Sequence, residues 1–455
     1  MPGNVPGLAL ARPNRYKRRM GKILERIFRL SELGTTAGRE LVAGATTFVT
    51  MSYIIVVNPK ILEAAGIPFG PGMVATILAA FLGSLAMGLY ANRPFAVAPY
   101  MGENAFVAFT VVKVLGYDWR TALGATFIGG VLFLVLTILG AREWLIRSLP
   151  EGLKRSFAMG IGLFLTFIGL STTGIVTLGV PGAPLQAGSF HDPKVLLAAA
   201  GFFITVGLMA WRVRGAIILG ILIVTGLSFV FGVAAPPARL VSEPPSIAPV
   251  LLALNVPAAF AWGLFSVILT IFVMAFVDTM GSIYAVSYRA DLLDERGDLP
   301  DIHRPLLVDA LATVVAAALG TTTSGIFIES ATGIEEGGRS GLTAVVVACL
   351  FLSALFIEPF LTSVPACAYG PSLIVVGLLM MTAIREIDFT DLSETVPAFL
   401  TIVLMSFTYN IGIGMTAGFV AYPLMKLVTG RVREVAPGLW VLAGLSALFF
   451  VFYPH

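Results

Sequence analysis

Four carboxylic acids, Glu103, Asp278, Asp309 and Glu329, stand within otherwise apolar stretches of this chain. An ionisable side chain at membrane depth costs roughly 2.5–3.5 kcal/mol on insertion scales, so each is a candidate for function before packing. No Lys or Arg is expected inside a span to pair with them. His191, His303 and His455 fall in loops or at the terminus, so a proton carried through the interior must ride on a carboxyl. Asp278, in Phe276-Val-Asp-Thr-Met-Gly281, and Glu329 lie beside glycines and breaks and are the strongest candidates. Asp309 is open to a second reading, a carboxylate satisfied by neighbouring hydroxyls, and Glu103 to another, a helix cap. A fixed carboxylate accepts hydrogen bonds from a ligand's N–H edge, and Tyr53, Tyr100, Phe106 and Phe327 offer ring faces nearby.

Hydropathy locates the elements that must hold these groups. With 57% hydrophobic and 12% charged residues and a mean hydropathy of +0.92, a soluble globular domain is excluded and a polytopic helical membrane protein is expected. At about 20 residues per span, the length allows about fourteen crossings. They are read at 41–57, 71–91, 95–114, 119–139, 150–171, 193–210 and 214–232 in the first half. The second half supplies 258–286, 304–319, 322–338, 340–360, 364–382, 394–408 and 411–429. A stretch at 437–453 is either a fifteenth span or an interfacial helix. Residues 1–40 form a basic tail whose segment Ile23-Leu-Glu-Arg-Ile-Phe-Arg-Leu30 has a helical rhythm suited to the inner membrane surface. No cleavable signal peptide is visible there. With the N-terminus cytoplasmic, only Lys60, Lys113, Arg120, Lys194 and Arg239 of the 29 basic residues lie outside, as the positive-inside rule requires. The net charge of +3 therefore reflects topology and does not point to nucleic acid. Cys349 and Cys367 read as small packing residues, with no metal site or disulfide framework.

Two spans are broken. Gly320 to Arg339 places Thr321-Thr-Thr-Ser-Gly325 and then an extended Ile326-Phe-Ile before Glu329-Ser330, where a helix would start. The alternative is an ordinary polar loop. Pro94-Phe-Ala-Val-Ala-Pro-Tyr-Met-Gly-Glu-Asn-Ala105 also runs from an extended piece into a helix. Irregular backbone at membrane depth is tolerated only where protein wraps it or it lines a cavity, and secondary transporters build substrate sites this way. Seven spans per half is an odd number, so a repeat of 41–232 in 258–429 must be inverted. The expected fold is all-α and polytopic, a seven-plus-seven inverted repeat with short strands in the third and tenth segments. Two helix N-termini would then face one another.

Several motifs occur in one register: Gly44-Ala-Thr-Thr-Phe-Val-Thr-Met-Ser-Tyr-Ile-Ile-Val-Val-Asn-Pro59, Met101-Gly-Glu-Asn-Ala-Phe106, Phe276-Val-Asp-Thr-Met-Gly281 with Ser287-Tyr-Arg-Ala-Asp-Leu-Leu293, Phe327-Ile-Glu-Ser-Ala-Thr-Gly333 and Gly337-Gly-Arg-Ser-Gly-Leu-Thr343. From about residue 30 to residue 433 the chain resembles the AzgA-like hypoxanthine/guanine/adenine permeases of the nucleobase–ascorbate (xanthine/uracil) transporter family. The resemblance implies a core of spans 1–4 and 8–11 and a gate of spans 5–7 and 12–14. It also implies proton-coupled uptake across the inner or plasma membrane, an elevator-like movement of the core, often a homodimer, and no cofactor. By position, Asp278 matches the family's eighth-span acid, Asp309 its ninth-span acid, Glu329 its tenth-span substrate carboxylate and Asn104 its third-span asparagine. Tyr100, Phe327 and Ser330 flank them as further candidate contacts. Glu103 departs from the leucine most common at its position.

Purine chemistry is compatible with these residues. Guanine shows two adjacent N–H donors that one ionised Glu329 could accept, hypoxanthine shows one, and adenine sets an acceptor beside its amine. Charge-assisted bonds of about 1.5–3 kcal/mol each together with stacking reach roughly −8 kcal/mol, a micromolar complex. Asp278, in the apolar run Ile271-Phe-Val-Met-Ala-Phe-Val277, is the first choice for the coupling proton and Asp309 the second. The expected activity is purine:proton symport. A sulfate-permease-like anion transporter would want a basic residue in the site, and a uracil or xanthine transporter of the same family is the other alternative. A membrane enzyme would need a nucleophile–base pair or a metal cluster, and none is legible.

Overall fold

A computed structural model of the chain describes residues 23–140, 148–180, 183–260, 264–290, 292–293, 299–387 and 389–452. Most of the basic tail (1–22) and Asp291 of the eighth-span motif lie outside the described residues. The molecule is mostly helical. Among the described residues eight helices are long and apolar enough to cross a membrane, beginning with Ala37–Ala64 and Phe69–Ala91 and ending with Ile411–Val428, and Ala216–Val230, Ala366–Met380 and Leu392–Phe407 are shorter apolar helices.

The first span starts earlier and runs longer than hydropathy suggests. Its two helical stretches, Ala37–Met51 and Ile54–Ala64, join through Ser52 and Tyr53, which stay in right-handed helical conformation. There Ile55 N–H donates to the Ser52 carbonyl and Val56 N–H to that of Tyr53, at 3.0 and 3.1 Å. These i to i−3 bonds tighten the turn and re-aim Tyr53. The Gly341–Ser353 helix continues through a 3-10 turn into Glu358–Thr362. The Pro437–Phe452 helix packs along Ile411–Val428.

The helices sort into two packed groups. One holds Ala37–Met51, Phe69–Ala86, Trp119–Ile138, Phe265–Arg289, His303–Leu319 and Gly341–Ser353, and the other holds Glu151–Thr172, Pro193–Ala210, Ala216–Val230, Ala366–Met380, Leu392–Phe407 and Ile411–Val428. Contacts between the groups include small and aromatic side chains. A Cβ on Gly102 would meet Ile161 at 2.8 Å, Thr110 Oγ1 donates to the Tyr409 carbonyl at 2.6 Å, and Phe109 meets the Tyr409 ring edge-on.

Three features correct the sequence reading. An exposed antiparallel hairpin, Val176–Val180 with Ala183–Ala187, adds strands outside the two breaks, because a loop-like composition hid two short extended runs. Cys349 is exposed on its helix while Cys367 is buried, so only the latter packs. Lys426 is a fully buried cation inside the last long helix, held by Glu394 at 2.8 Å and Glu434 at 3.0 Å. It serves those acids and none of the four noted above.

Candidate functional site

The two breaks meet. Val97–Pro99 pairs antiparallel with Ser324–Ile326, matching Val97 to Ile326, Ala98 to Gly325 and Pro99 to Ser324. The chain ends around this ladder close it. Tyr100 N–H donates to the Thr323 carbonyl at 3.0 Å, Phe327 N–H to that of Ala96 at 2.9 Å, and Ala96 N–H to Ser330 Oγ at 2.9 Å. Buried backbone groups that helices would have satisfied are thus satisfied across the ladder. Gly325 is required because a Cβ there would sit 2.3 Å from the Tyr100 hydroxyl. Each strand feeds a helix, Met101–Ala105 widening into a π-helix over Phe106–Val114, and the short Ser330–Glu335. The second strand ends at Ile326, so Phe327 and Ile328 belong to the turn that delivers Glu329 and not to an extended piece.

Glu329 occupies the N-cap position of Ser330–Glu335 without capping it. It is half-buried and accepts a 2.7 Å bond from the Tyr53 hydroxyl. Tyr53, expected as a stacking ring, is therefore a hydrogen-bond partner delivered by the tightened turn of the first span. Asp278 is half-buried as well, one turn before Gly281, which is exposed with open space around it. The helix carrying Asp278 touches Ser330–Glu335, and both acids keep part of their surface exposed.

Asn104 is fully buried and donates its amide to Asn58 Oδ1. Asn58 in turn donates to Thr76 Oγ1 at 2.8 Å and Thr321 Oγ1 at 3.3 Å, while Asn104 Oδ1 is left without a partner. Asn58, one residue past the 41–57 span expected from hydropathy, is the lone amide of the Ala37–Ala64 helix, and that rarity is its signal in the sequence. Tyr100 and Phe327 stack on one another, centroids 6.1 Å apart and planes 9° from parallel, and the Tyr100 hydroxyl donates to the Ile326 carbonyl at 3.3 Å. Phe106 is buried in the main core.

Asp309 is buried and accepts from Thr279 Oγ1 at 2.6 Å and from Ile326 N–H at 3.1 Å. That is the arrangement of the hydroxyl-satisfied alternative, and it pins the second strand between two helices. Glu103 does not cap its helix. Tyr100 is the N-cap residue, and both Glu103 oxygens are buried without a hydrogen-bond partner.

The sequence reading missed Glu40, assigned to the tail. It is fully buried and accepts from Arg339 N–H at 2.8 Å, Ser340 N–H at 3.2 Å and the Thr343 N–H and hydroxyl at 3.1 and 2.6 Å. The Gly338–Thr343 part of the motif is a carboxylate-binding helix start, which places the negative charge where the helix dipole favours it. An apolar groove of about 380 Å³ lined by Ala79, Gly83, Leu307, Leu311 and Val315 lies on a different face of His303–Leu319 from Asp309 and Thr313, and it has no carboxylate in it.

A family model described as Permease family, for xanthine/uracil permeases, matches residues 38–417. The chain belongs to this family. A putative permease of Methanocaldococcus jannaschii is 43% identical over 95% of this chain and 99% of its own length. The adenine permease AdeP of Escherichia coli is 40% identical, covering 94% of this chain and 96% of its own. The guanine/hypoxanthine permease PbuG of Bacillus subtilis is 38% identical over 94% of this chain and all of its own. The permease is thus a multi-pass membrane transporter and not an enzyme. Among solved structures, the transmembrane domain of the cyanobacterial bicarbonate transporter BicA superposes with a TM-score of 0.63 at 15% identity over 84% of this chain and 97% of its own. SLC26A9 does so with a TM-score of 0.64 at 10% identity over 94% of this chain and 73% of its own. These likenesses establish the fold.

Proposed function

We propose that this permease takes up purine nucleobases by proton symport, and that Glu329 is the group that recognises the base. The observation that carries the reading is a carboxylate at a helix start inside a broken segment, bound by one tyrosine hydroxyl and partly exposed. Ionised, it accepts from both adjacent donors of guanine or the single ring donor of hypoxanthine. A protonated Glu329 carboxyl would instead set a donor beside an acceptor, which matches the ring nitrogen and amine of adenine. Relatives named for adenine and for guanine/hypoxanthine support both. Tyr100 and Phe327 form an apolar wall, and Asn104 and Ser330 fix the two breaks beside it.

In this reading Asp278 carries the coupling proton, with Asp309 as second choice. The fourteen segments form a seven-plus-seven inverted repeat, 41–232 and 258–429. The group of helices bearing the breaks is the moving core of an elevator and the other group is the gate. The N-terminus is cytoplasmic, the membrane is the inner or plasma membrane, and the unit is a homodimer. The local two-fold of the antiparallel ladder supports the inverted repeat, and the small-residue contacts between the groups support the sliding of one past the other.

Uptake of radiolabelled guanine, hypoxanthine and adenine in cells lacking purine transport, with a competition panel and an uncoupler, tests the function. Uncoupler-sensitive purine uptake is expected. Competition by uracil, xanthine or sulfate in preference to guanine, hypoxanthine and adenine rejects it.

A further inference from the structure

Glu103 is a buried carboxylic acid that the mechanism above leaves unused. It is fully buried, and neither carboxyl oxygen receives a hydrogen bond. The helix face opposite it belongs to Phe265–Arg289. A Cβ on the adjacent Gly102 would lie 4.0 Å from Met274 Cε, and Asp278 follows Met274 by one turn on the same face. Asp278 is within hydrogen-bonding reach of Glu103. The other charged or titratable groups around it are Asp309, from His303–Leu319, and Tyr100. Of the remaining elements packed there, Ile54–Ala64 contributes Asn58, engaged with Asn104, and Glu151–Thr172 contributes Ile161. Among the described residues no cation appears beside it.

Two ionised carboxylates offer only acceptors to each other, and like charges so close, with no cation between them, do not both ionise. Asp309 is directed at the strand, accepting from Thr279 and Ile326 N–H, and acts on Glu103 through its charge. We propose that Glu103 and Asp278 form a carboxyl–carboxylate pair that retains one shared proton at rest, and that the coupling proton is the second one the pair binds. The resting pair carries one negative charge. Binding the second proton brings it to zero, and releasing that proton inside restores it. The two protonation steps belong to the pair and not to either residue. This rests on the proton-symport reading.

Infrared difference spectroscopy of the purified permease, with and without guanine, is combined with the pH dependence of uptake in proteoliposomes. The wild type is expected to show the carbonyl stretch of a protonated carboxyl at neutral pH. Glu103→Gln should lose it, because an amide N–H stabilises ionised Asp278, and should move the pH of half-maximal uptake about one unit acidward, a tenfold drop in proton affinity. Glu103→Leu, which lacks both proton and donor, serves if the glutamine variant does not fold; it leaves Asp278 as a lone desolvated carboxyl and should shift both the band and the pH of half-maximal uptake. Proton-driven wild-type uptake with a band and pH profile unchanged in both variants overturns the pair and spares the symport reading. Wild-type uptake indifferent to the proton gradient rejects symport; the infrared band alone then decides the shared proton, its absence from the wild type overturning it.

Discussion

At the scale of single residues, what matters is the donor or acceptor each side chain still has free. Glu329 takes one bond from Tyr53 and gives none to its helix cap, so it has capacity left for a base. Glu329→Gln replaces an acceptor by a group that also presents donors to the donors of the base. Guanine affinity should fall about ten- to a hundredfold, the equivalent of roughly 1.5–3 kcal/mol, with the ligand-free melting temperature held. Calorimetric titration measures it, and unchanged affinity would remove Glu329 from the site. Asp278→Asn mimics a protonated carboxyl. The expected outcome is retained counterflow exchange and loss of concentrative, proton-driven uptake, read in proteoliposomes with an imposed pH gradient.

At the scale of elements, the breaks depend on short pieces that are stable only together. A three-residue strand has no independent stability, and here each is clamped by the other and by Ser330 and Asp309. Glu40 does the same for the Gly341–Ser353 helix. Glu40→Ala leaves the N–H groups of Arg339, Ser340 and Thr343 buried without that acceptor, and stability should drop by about 3 kcal/mol or more. The melting temperature in detergent checks this, while guanine affinity of the folded fraction is expected to stay within about twofold, since Glu40 is not among the groups proposed to bind the base. Prolines and a glycine marked the first break in the sequence, glycines and threonines the second. The positions of strand and turn were not marked, because Ser324, Gly325 and Ile326 extend only where Val97, Ala98 and Pro99 meet them.

At the scale of the molecule, two helix groups face each other across small side chains, and transport by an elevator requires them to slide. A Cβ on Gly412 would lie 2.5 Å from Thr270 Oγ1, so these positions adjoin across the boundary. In a background lacking Cys349 and Cys367, oxidising a Thr270→Cys, Gly412→Cys pair should abolish uptake reversibly and leave guanine binding within about threefold. Uptake that continues with the cross-link formed, verified by mass spectrometry, would show that the groups need not move past each other.

Composition by itself determined that this chain lives in a membrane as helices, because 57% hydrophobic residues cannot be covered in water. The rarity of polar atoms in apolar runs singled out Glu103, Asp278, Asp309 and Glu329, and breaker residues located the two interruptions. Tertiary structure alone decided what those acids do to one another. Tyr53 reaches Glu329 across 276 residues of sequence, Glu40 reaches Thr343 across 303, and Asp309 binds Thr279 and the strand while Glu103 is buried with neither oxygen hydrogen-bonded. Hydropathy and periodicity report how a segment meets its solvent over a few turns, whereas a hydrogen bond depends on ångström distances between segments, which only the packing of the two helix groups sets.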